Sequence, residues 1–108
     1  MIPIIIQTTC SSKKEAKKIA KHLVKKKLAA CVQIGKIDSI YSYKGKVYDD
    51  KEYILNIKTK KENYTTIKRE IKENHSYDLP EIISIEIDKL SDEYKNFIKD
   101  NTIWMIMF

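Results

Sequence analysis

The stretch Leu28-Ala29-Ala30-Cys31-Val32-Gln33-Ile34, continued by Ser39-Ile40-Tyr41-Ser42-Tyr43-Lys44-Gly45-Lys46 and running on to Thr59, decides the fold. It reads as one long hairpin. Leu28 to Ile34 enters as an apolar strand, Gly35-Lys36 marks an irregular patch, and Ser39 to Tyr43 continues beyond it. Lys44-Gly45 turns the chain, because glycine takes positive φ without steric cost. Lys46 to Thr59 returns, with Asp49-Asp50-Lys51 as the place for a bulge or bend. Strands usually run about 5–6 residues. A ribbon this long overhangs any sheet that 108 residues can build. Something outside the chain must cover the overhang, so an oligomer is expected.

Working outward, Ile2 to Thr9 is a nearly continuous apolar run, as in a central strand covered on both faces. Pro3 lacks a ladder donor and belongs at its start. Ser12-Lys13-Lys14-Glu15 matches a capping box. Ala16, Ile19, Ala20, Leu23, Val24 and Leu28 follow at helical spacing, with lysines on the remaining faces and His22 expected in solvent. Thr59-Lys60-Lys61-Glu62 offers a second capping box before a helix carrying Tyr64, Ile67 and Ile71, which ends near Asn74-His75. Pro80 pushes Leu79 extended. Glu81 to Asp88 alternates as a strand with one wet side, and Ser91-Asp92-Glu93 opens a short helix with Tyr94, Phe97 and Ile98. The apolar tail from Ile103 to Phe108 is expected to pack on its own subunit or a neighbour.

The order is strand, helix, hairpin, helix, strand, short helix. That predicts an α+β, ferredoxin-like split βαβ domain over residues 1–108. Both main helices should cover one face of an antiparallel sheet, leaving the isoleucines of the other face in need of a partner.

Composition bounds the function. The apolar fraction is 43% and the charged fraction 33%, with two glycines and two prolines, so no linker or low-complexity tail is expected. No apolar run approaches the roughly 18 residues of a membrane span, and no export signal is read. A cytoplasmic protein without membrane association is expected, with Cys10 and Cys31 as free thiols. The net charge of +6 raises nucleic acid as a partner. Arg69 is the sole arginine, however, and Ile2 to Thr9 carries no aromatic platform, so RNA binding is disfavoured. No nucleophile elbow, phosphate-cradling loop or acid–base carboxylate pair is present, so the chain is not read as an enzyme.

Several landmarks together resemble the CutA divalent-cation-tolerance family. They are Thr8-Thr9-Cys10, Leu28-Ala29-Ala30-Cys31-Val32, Ser39-Ile40-Tyr41, Lys44-Gly45-Lys46, Ile57-Lys58-Thr59 and His75-x-Tyr77-x-x-Pro80-Glu81-Ile82-Ile83. The match runs from about Ile4 to Trp104. Departures are Tyr43 where the family usually has tryptophan, Ser76 where it has proline, and a shorter Ile34–Asp38 segment. The resemblance implies a ferredoxin-like subunit, a homotrimer paired through its long strands, an architecture like that of PII-type signalling proteins, and a relation to metal. Copper and zinc favour thiolate and imidazole, which makes Cys31, Cys10 and His75 the candidate ligands, for weak binding only. Cys10 precedes a helix N-terminus, whose dipole is expected to lower its pKa. Against this stand plain roles: a small buried hydrophobe for Cys31, a turn residue for Cys10, a helix-end imidazole for His75. Tyr41, Tyr43, Glu52, Lys58, Tyr77 and Glu81, with His75, are candidates for a pocket at subunit boundaries that takes an anion or a small polar ligand. Their plain role is as interface anchors with bonded hydroxyls. The functions to separate are a metal-tolerance protein and a signalling or scaffold module.

Overall fold

The computed structural model describes residues 1–103. The elements run β1 (Pro3–Cys10), α1 (Lys13–Lys25), β2 (Cys31–Tyr43), β3 (Lys46–Lys60), α2 (Tyr64–Asn74), β4 (Ile83–Glu86) and α3 (Asp92–Asp100). The sheet order is β2-β3-β1-β4, antiparallel throughout. This is the α+β, split βαβ arrangement that the order of elements predicts. Trp104 to Phe108, most of the apolar tail, lies outside the described residues.

The register sorts the side chains. Ile4, Ile6 and Thr8 face Thr59, Ile57 and Leu55, and Val32 and Ile34 join that face from β2. Ile19 and Leu23 of α1 and Ile67 and Ile71 of α2 close over it, so one core binds both helices to the sheet. Each such side chain contributes roughly 1.5–3 kcal/mol by leaving water. Val24, placed on the stripe by spacing, is instead 41% exposed. The opposite face carries Ile5, Gln7, Ile54, Asn56, Cys31, Ile83 and Ile85, in register with one another. Ile83 and Ile85 are half-exposed there, and Gln7 Nε2 donates to Asn56 Oδ1 at 2.8 Å. Glu81 to Asp88 is a strand only over Ile83–Glu86.

The hairpin is more regular than its sequence. β2 and β3 pair without interruption from Cys31↔Lys58 to Tyr43↔Lys46, so neither Gly35 nor Asp49-Asp50-Lys51 makes a bulge. A Cβ at Gly35 would meet Ile54 at an ordinary 3.7 Å. The charges of the far end are absorbed across the ladder. Lys51 pairs with Asp38, and Tyr41 Oη donates to Asp50 Oδ2 at 2.5 Å. Lys44 and Gly45 both hold positive φ, 50° and 77°, the requirement of a two-residue turn that matches strand twist. Only Tyr53–Lys60 of β3 pairs with β1. The remainder of the hairpin projects, with Ile40 at 71% and Val47 at 77% exposure. The radius of gyration is accordingly 14.4 Å, against about 13 Å for a compact chain of this size.

Two termini differ from expectation. At the start of α1, the Ser12 hydroxyl accepts from Glu15 N–H at 3.2 Å, but the Glu15 carboxylate turns elsewhere, as described below. The second capping box does not form. Thr59 stays in β3, and its hydroxyl donates to the Leu28 carbonyl at 2.6 Å. Asn63 Nδ2 donates to that same carbonyl at 3.1 Å. α1 ends with Lys27 at φ 58°. Leu28 N–H donates to Leu23 O and Lys27 N–H to Val24 O, both at 3.0 Å, the pattern of a left-handed helix stop.

His22 is not in open solvent. Its Nε2 lies 3.4 Å from Glu70 Oε1, which also receives Lys26 Nζ at 2.7 Å, so α1 and α2 are tied by charge. Lys26, aided by His22, holds the Glu70 carboxyl below its ordinary value of 4.5 despite burial. A carboxylate depressed in the folded state adds stability above its unfolded pKa and loses it as pH falls through the folded one. Stability to urea should therefore begin to fall below about pH 4.5, and Lys26→Met should flatten that limb. An unchanged acid limb in the variant would count against the tie.

Candidate functional site

Two constellations meet at the ends of β1 and α2. The first is a cleft of about 760 Å³. Its floor is the sheet face away from α1 and α2, where Ser39, Tyr41 and Tyr43 of β2 sit beside Glu52 of β3 and Thr9 of β1. Its wall is the segment after α2, with Ser76, Tyr77, Asp78, Leu79 and Glu81. Tyr77 Oη donates to Glu52 Oε2 at 2.7 Å, joining wall to floor. Burial and then the Glu52 carboxylate push the Tyr77 phenol well above its ordinary value. The Tyr41 phenol is pushed up to about 12, chiefly by its hydrogen bond to Asp50. The Tyr41 ring stacks on Tyr48, with centroids 5.4 Å apart.

Of the candidate pocket residues, the structure brings Tyr41, Tyr43, Glu52, Tyr77 and Glu81 to one cleft. Lys58 is not among its lining residues. It shares the sheet face but points toward α3, donating to Gln33 Oε1 at 2.7 Å, with its ammonium 5.4 Å from the Tyr94 ring. Without Lys58 the lining holds Glu52, Asp78 and Glu81 and no basic side chain. The side chains that this chain brings to the cleft thus carry negative charge. Sequence reasoning did not single out Asp78 or Leu79, because loop side chains give no periodicity.

The second constellation lies next to it. The donor atoms of Cys10, Glu15 and His75 all fall within 4.8 Å of one another. Cys10 ends β1, Glu15 sits in the first turn of α1, and His75 caps the C-terminus of α2. The His75 side chain is fully buried. Its Nδ1 accepts the Tyr77 N–H at 3.0 Å, which leaves the ring proton on Nε2 to donate to the Thr9 carbonyl at 2.7 Å. Cys10 Sγ is 3.7 Å from Nε2. Glu15 Oε1 is 3.4 Å from Nδ1 and accepts from the N–H and hydroxyl of Ser76 at 3.3 and 3.2 Å. Burial and then Glu15 push the Cys10 thiol up to about 12. This corrects the expectation of a thiol acidified by the helix dipole: the carboxylate beside it and the apolar surroundings outweigh the helix end.

Cys31 joins neither group. It pairs with Lys58 at the start of β2, on the open face, whereas Cys10 faces Tyr53 across β1 and β3. Both cysteines are free. Sulfur, imidazole nitrogen and carboxylate oxygen suit zinc or copper in kind. Both His75 nitrogens are already bonded and the thiol is held protonated, so an ion must displace existing hydrogen bonds and a proton.

Comparison with known proteins agrees with this architecture. Residues 4–101 match the family model described as CutA1 divalent ion tolerance protein. The chain is 38% identical over 100 residues to the Protein CutA, chloroplastic, of Arabidopsis thaliana, covering 92% of this chain and 55% of that protein. It thus spans about half the length of that plant relative. It is 34% identical over 99 residues to the divalent-cation tolerance protein CutA of Pyrococcus horikoshii, covering 92% of this chain and 97% of that one. The crystal structure of CutA1 from Oryza sativa superposes with a TM-score of 0.91 at 35% identity, over 95% of each chain. With the family model spanning nearly all of the described residues and the fold shared, the chain belongs to the CutA1 divalent ion tolerance family.

Proposed function

We propose that the protein acts as a non-catalytic homotrimer in divalent-cation tolerance and makes weak, reversible contact with copper or zinc ions. The observation that carries the metal contact is the Cys10–Glu15–His75 group, whose donors lie within 4.8 Å of one another. Affinity is weak because binding must break the Thr9 or Tyr77 bond to His75 and release the Cys10 proton. The trimer is supported by the free edges of the projecting hairpin and by exposed Ile40 and Val47. A cytoplasmic location is supported by two thiols on opposite sheet faces, which cannot bridge within the chain. No helix among the described residues is long and apolar enough to cross a membrane.

Calorimetric titration of the reduced protein with copper and zinc tests the metal contact. Cys10→Ser should remove most of the heat, and Cys31→Ser should leave it intact. Absence of heat in the parent, or equal heats in parent and Cys10→Ser, would defeat the assignment. A second reading, a signalling or scaffold module with a ligand in the cleft, is favoured by the cleft's volume of about 760 Å³.

A further inference from the structure

The net charge is concentrated on one layer of the fold. Residues 13–27 hold eight lysines against one acid, Glu15, and residues 64–74 hold Lys68, Arg69 and Lys72 against Glu70 and Glu73. These two segments carry +8, and all other residues together carry −2, for the total of +6. The eleven cations are all exposed, whereas Glu15 is turned to Ser76 and Glu70 is buried. Glu73 is the one exposed carboxylate on the two segments. Of the eleven, only Lys26 has a carboxylate within ion-pair distance among the described residues. Lysines elsewhere are matched, as Lys51 is by Asp38 and Lys61 by Glu86. Along α1 the neighbours four apart are alike: Lys13 with Lys17, Lys14 with Lys18, Lys17 with Lys21, and Lys21 with Lys25. Such pairs destabilise a helix, a cost that an opposing negative surface would relieve.

This layer lies away from the surfaces that a sister copy would cover. Those are the projecting hairpin and the open sheet face, and α1 and α2 close over the other side. A second copy would also bring the same sign of charge to the helices. A polyanion fits, and the adjoining chain says which kind. Ile103 N–H donates to the Lys27 carbonyl at 2.8 Å, so residue 103 sits beside the end of α1. Ile103 and Val24 are 40% and 41% exposed. The sequence continues Trp104-Met105-Ile106-Met107-Phe108. Nucleic acid offers phosphates to lysines but nothing to five apolar residues. Its bases would meet a single arginine, and Tyr64, the one tyrosine of the two helices, packs against the core. An anionic bilayer offers both parts: headgroup charge for the lysines and an apolar layer just beneath for a segment bearing Trp and Phe.

We propose that the outer face of α1 and α2 docks on an anionic lipid bilayer, with residues 104–108 entering the headgroup boundary. Attachment is peripheral, since no helix among the described residues is long and apolar enough to cross. The lysines attract at a distance and the apolar segment holds at contact, the two signals that stable attachment requires. Composition alone points away from a membrane; charge placed beside the apolar segment revises that expectation. The docking is independent of the metal contact.

The probe is a vesicle of equal parts phosphatidylserine and phosphatidylcholine, with phosphatidylcholine alone as the control, mixed with the full chain. Co-sedimentation gives the affinity, and Trp104, the one tryptophan, reports its own surroundings by fluorescence. The mixed vesicles should bind and move the Trp104 emission to the blue, and the neutral vesicles should do neither. Raising salt from about 0.1 M, where charges act over about 10 Å, to about 1 M, where they act over about 3 Å, should weaken binding at least about tenfold. The combined variant Lys17→Gln, Lys18→Gln, Lys21→Gln and Lys25→Gln changes only exposed positions. It should also weaken binding at least about tenfold. Ile106→Ser with Phe108→Ser keeps Trp104 and should weaken binding about tenfold while leaving the salt dependence in place. No binding to the mixed vesicles, equal binding by parent and lysine variant, or binding with the Trp104 emission unmoved would each overturn the proposal. A duplex oligonucleotide that binds at a salt concentration where the vesicles do not would overturn the bilayer and put nucleic acid in its place.

Discussion

Replacing Ile40 and Val47 together by aspartate should turn a species of about three times 12.7 kDa into one of 12.7 kDa. The two residues lie near one another on the same face of the projecting hairpin, since Ile40 pairs with Asp49 and Ser42 with Val47. They are 71% and 77% exposed, so their own subunit loses almost no packing by the change. Were a neighbour to bury them, each would contribute roughly 1.5–3 kcal/mol, or about 9–18 kcal/mol over the six side chains of three copies. Aspartates would replace that gain with desolvated charge. Light scattering gives the mass, and circular dichroism tests whether the dissociated subunit stays folded. The parent's melting temperature should rise with protein concentration, because assembly and folding are linked, and the dissociated variant's should not. A variant that keeps the parent's mass, or a parent that is itself a single chain, would refute assembly through the hairpin.

His75→Ala should cost about 3–5 kcal/mol of unfolding free energy. The ring is fully buried and lies 4.7 Å, centroid to centroid, from that of Tyr77. Its removal leaves a cavity, which costs on the order of 2 kcal/mol. It also strands the Thr9 carbonyl and the Tyr77 N–H, both partnered by this ring. Orphaned buried groups cost about 1–3 kcal/mol apiece, partly relieved here by water from the adjoining cleft. Glu15→Gln should cost about 1 kcal/mol, since an amide oxygen can still accept from Ser76. Urea unfolding of both variants decides. A loss below 1 kcal/mol for His75→Ala would mean that the ring does not hold the segment after α2 in place. Because His75→Ala weakens the fold, Cys10→Ser is the better variant for the metal titration.

The hairpin was legible because alternation and Lys44-Gly45 both depend on local geometry, which a sequence displays directly. Its regularity was not. Gly35 suggested a break, yet it faces Ile54 across an intact ladder. The acidic run Asp49-Asp50 suggested another, yet the ladder runs through it, with Tyr41 donating to Asp50 and Lys51 paired with Asp38 across the strands. Thr59 resembled a helix cap because threonine serves caps and strands alike; the Leu28 carbonyl, distant in sequence, decided between them. The end of α1 lacked a glycine signal because Lys27 takes the left-handed position. At the site, Cys10 and His75 could be named from residue type and resemblance. Glu15 could not, because its capping role explained it fully until the segment after α2 was seen to arrive beside it. Lys58 failed as a pocket residue for the opposite reason: the motif places it on the right strand, but Gln33 and Tyr94 hold its ammonium elsewhere.

Charge is unevenly distributed over this molecule. Lysines coat α1, Lys68, Arg69 and Lys72 line the outside of α2, and Glu52, Asp78 and Glu81 line the cleft. Within about a Debye length of the surface an approaching cation meets net repulsion, and only within the last few ångströms of the cleft does the sign reverse. Added electrolyte damps the distant barrier more than the close attraction. Capture should therefore quicken with moderate ionic strength while residence shortens, a kinetic signature opposite to that of a site steered by its own protein's net field.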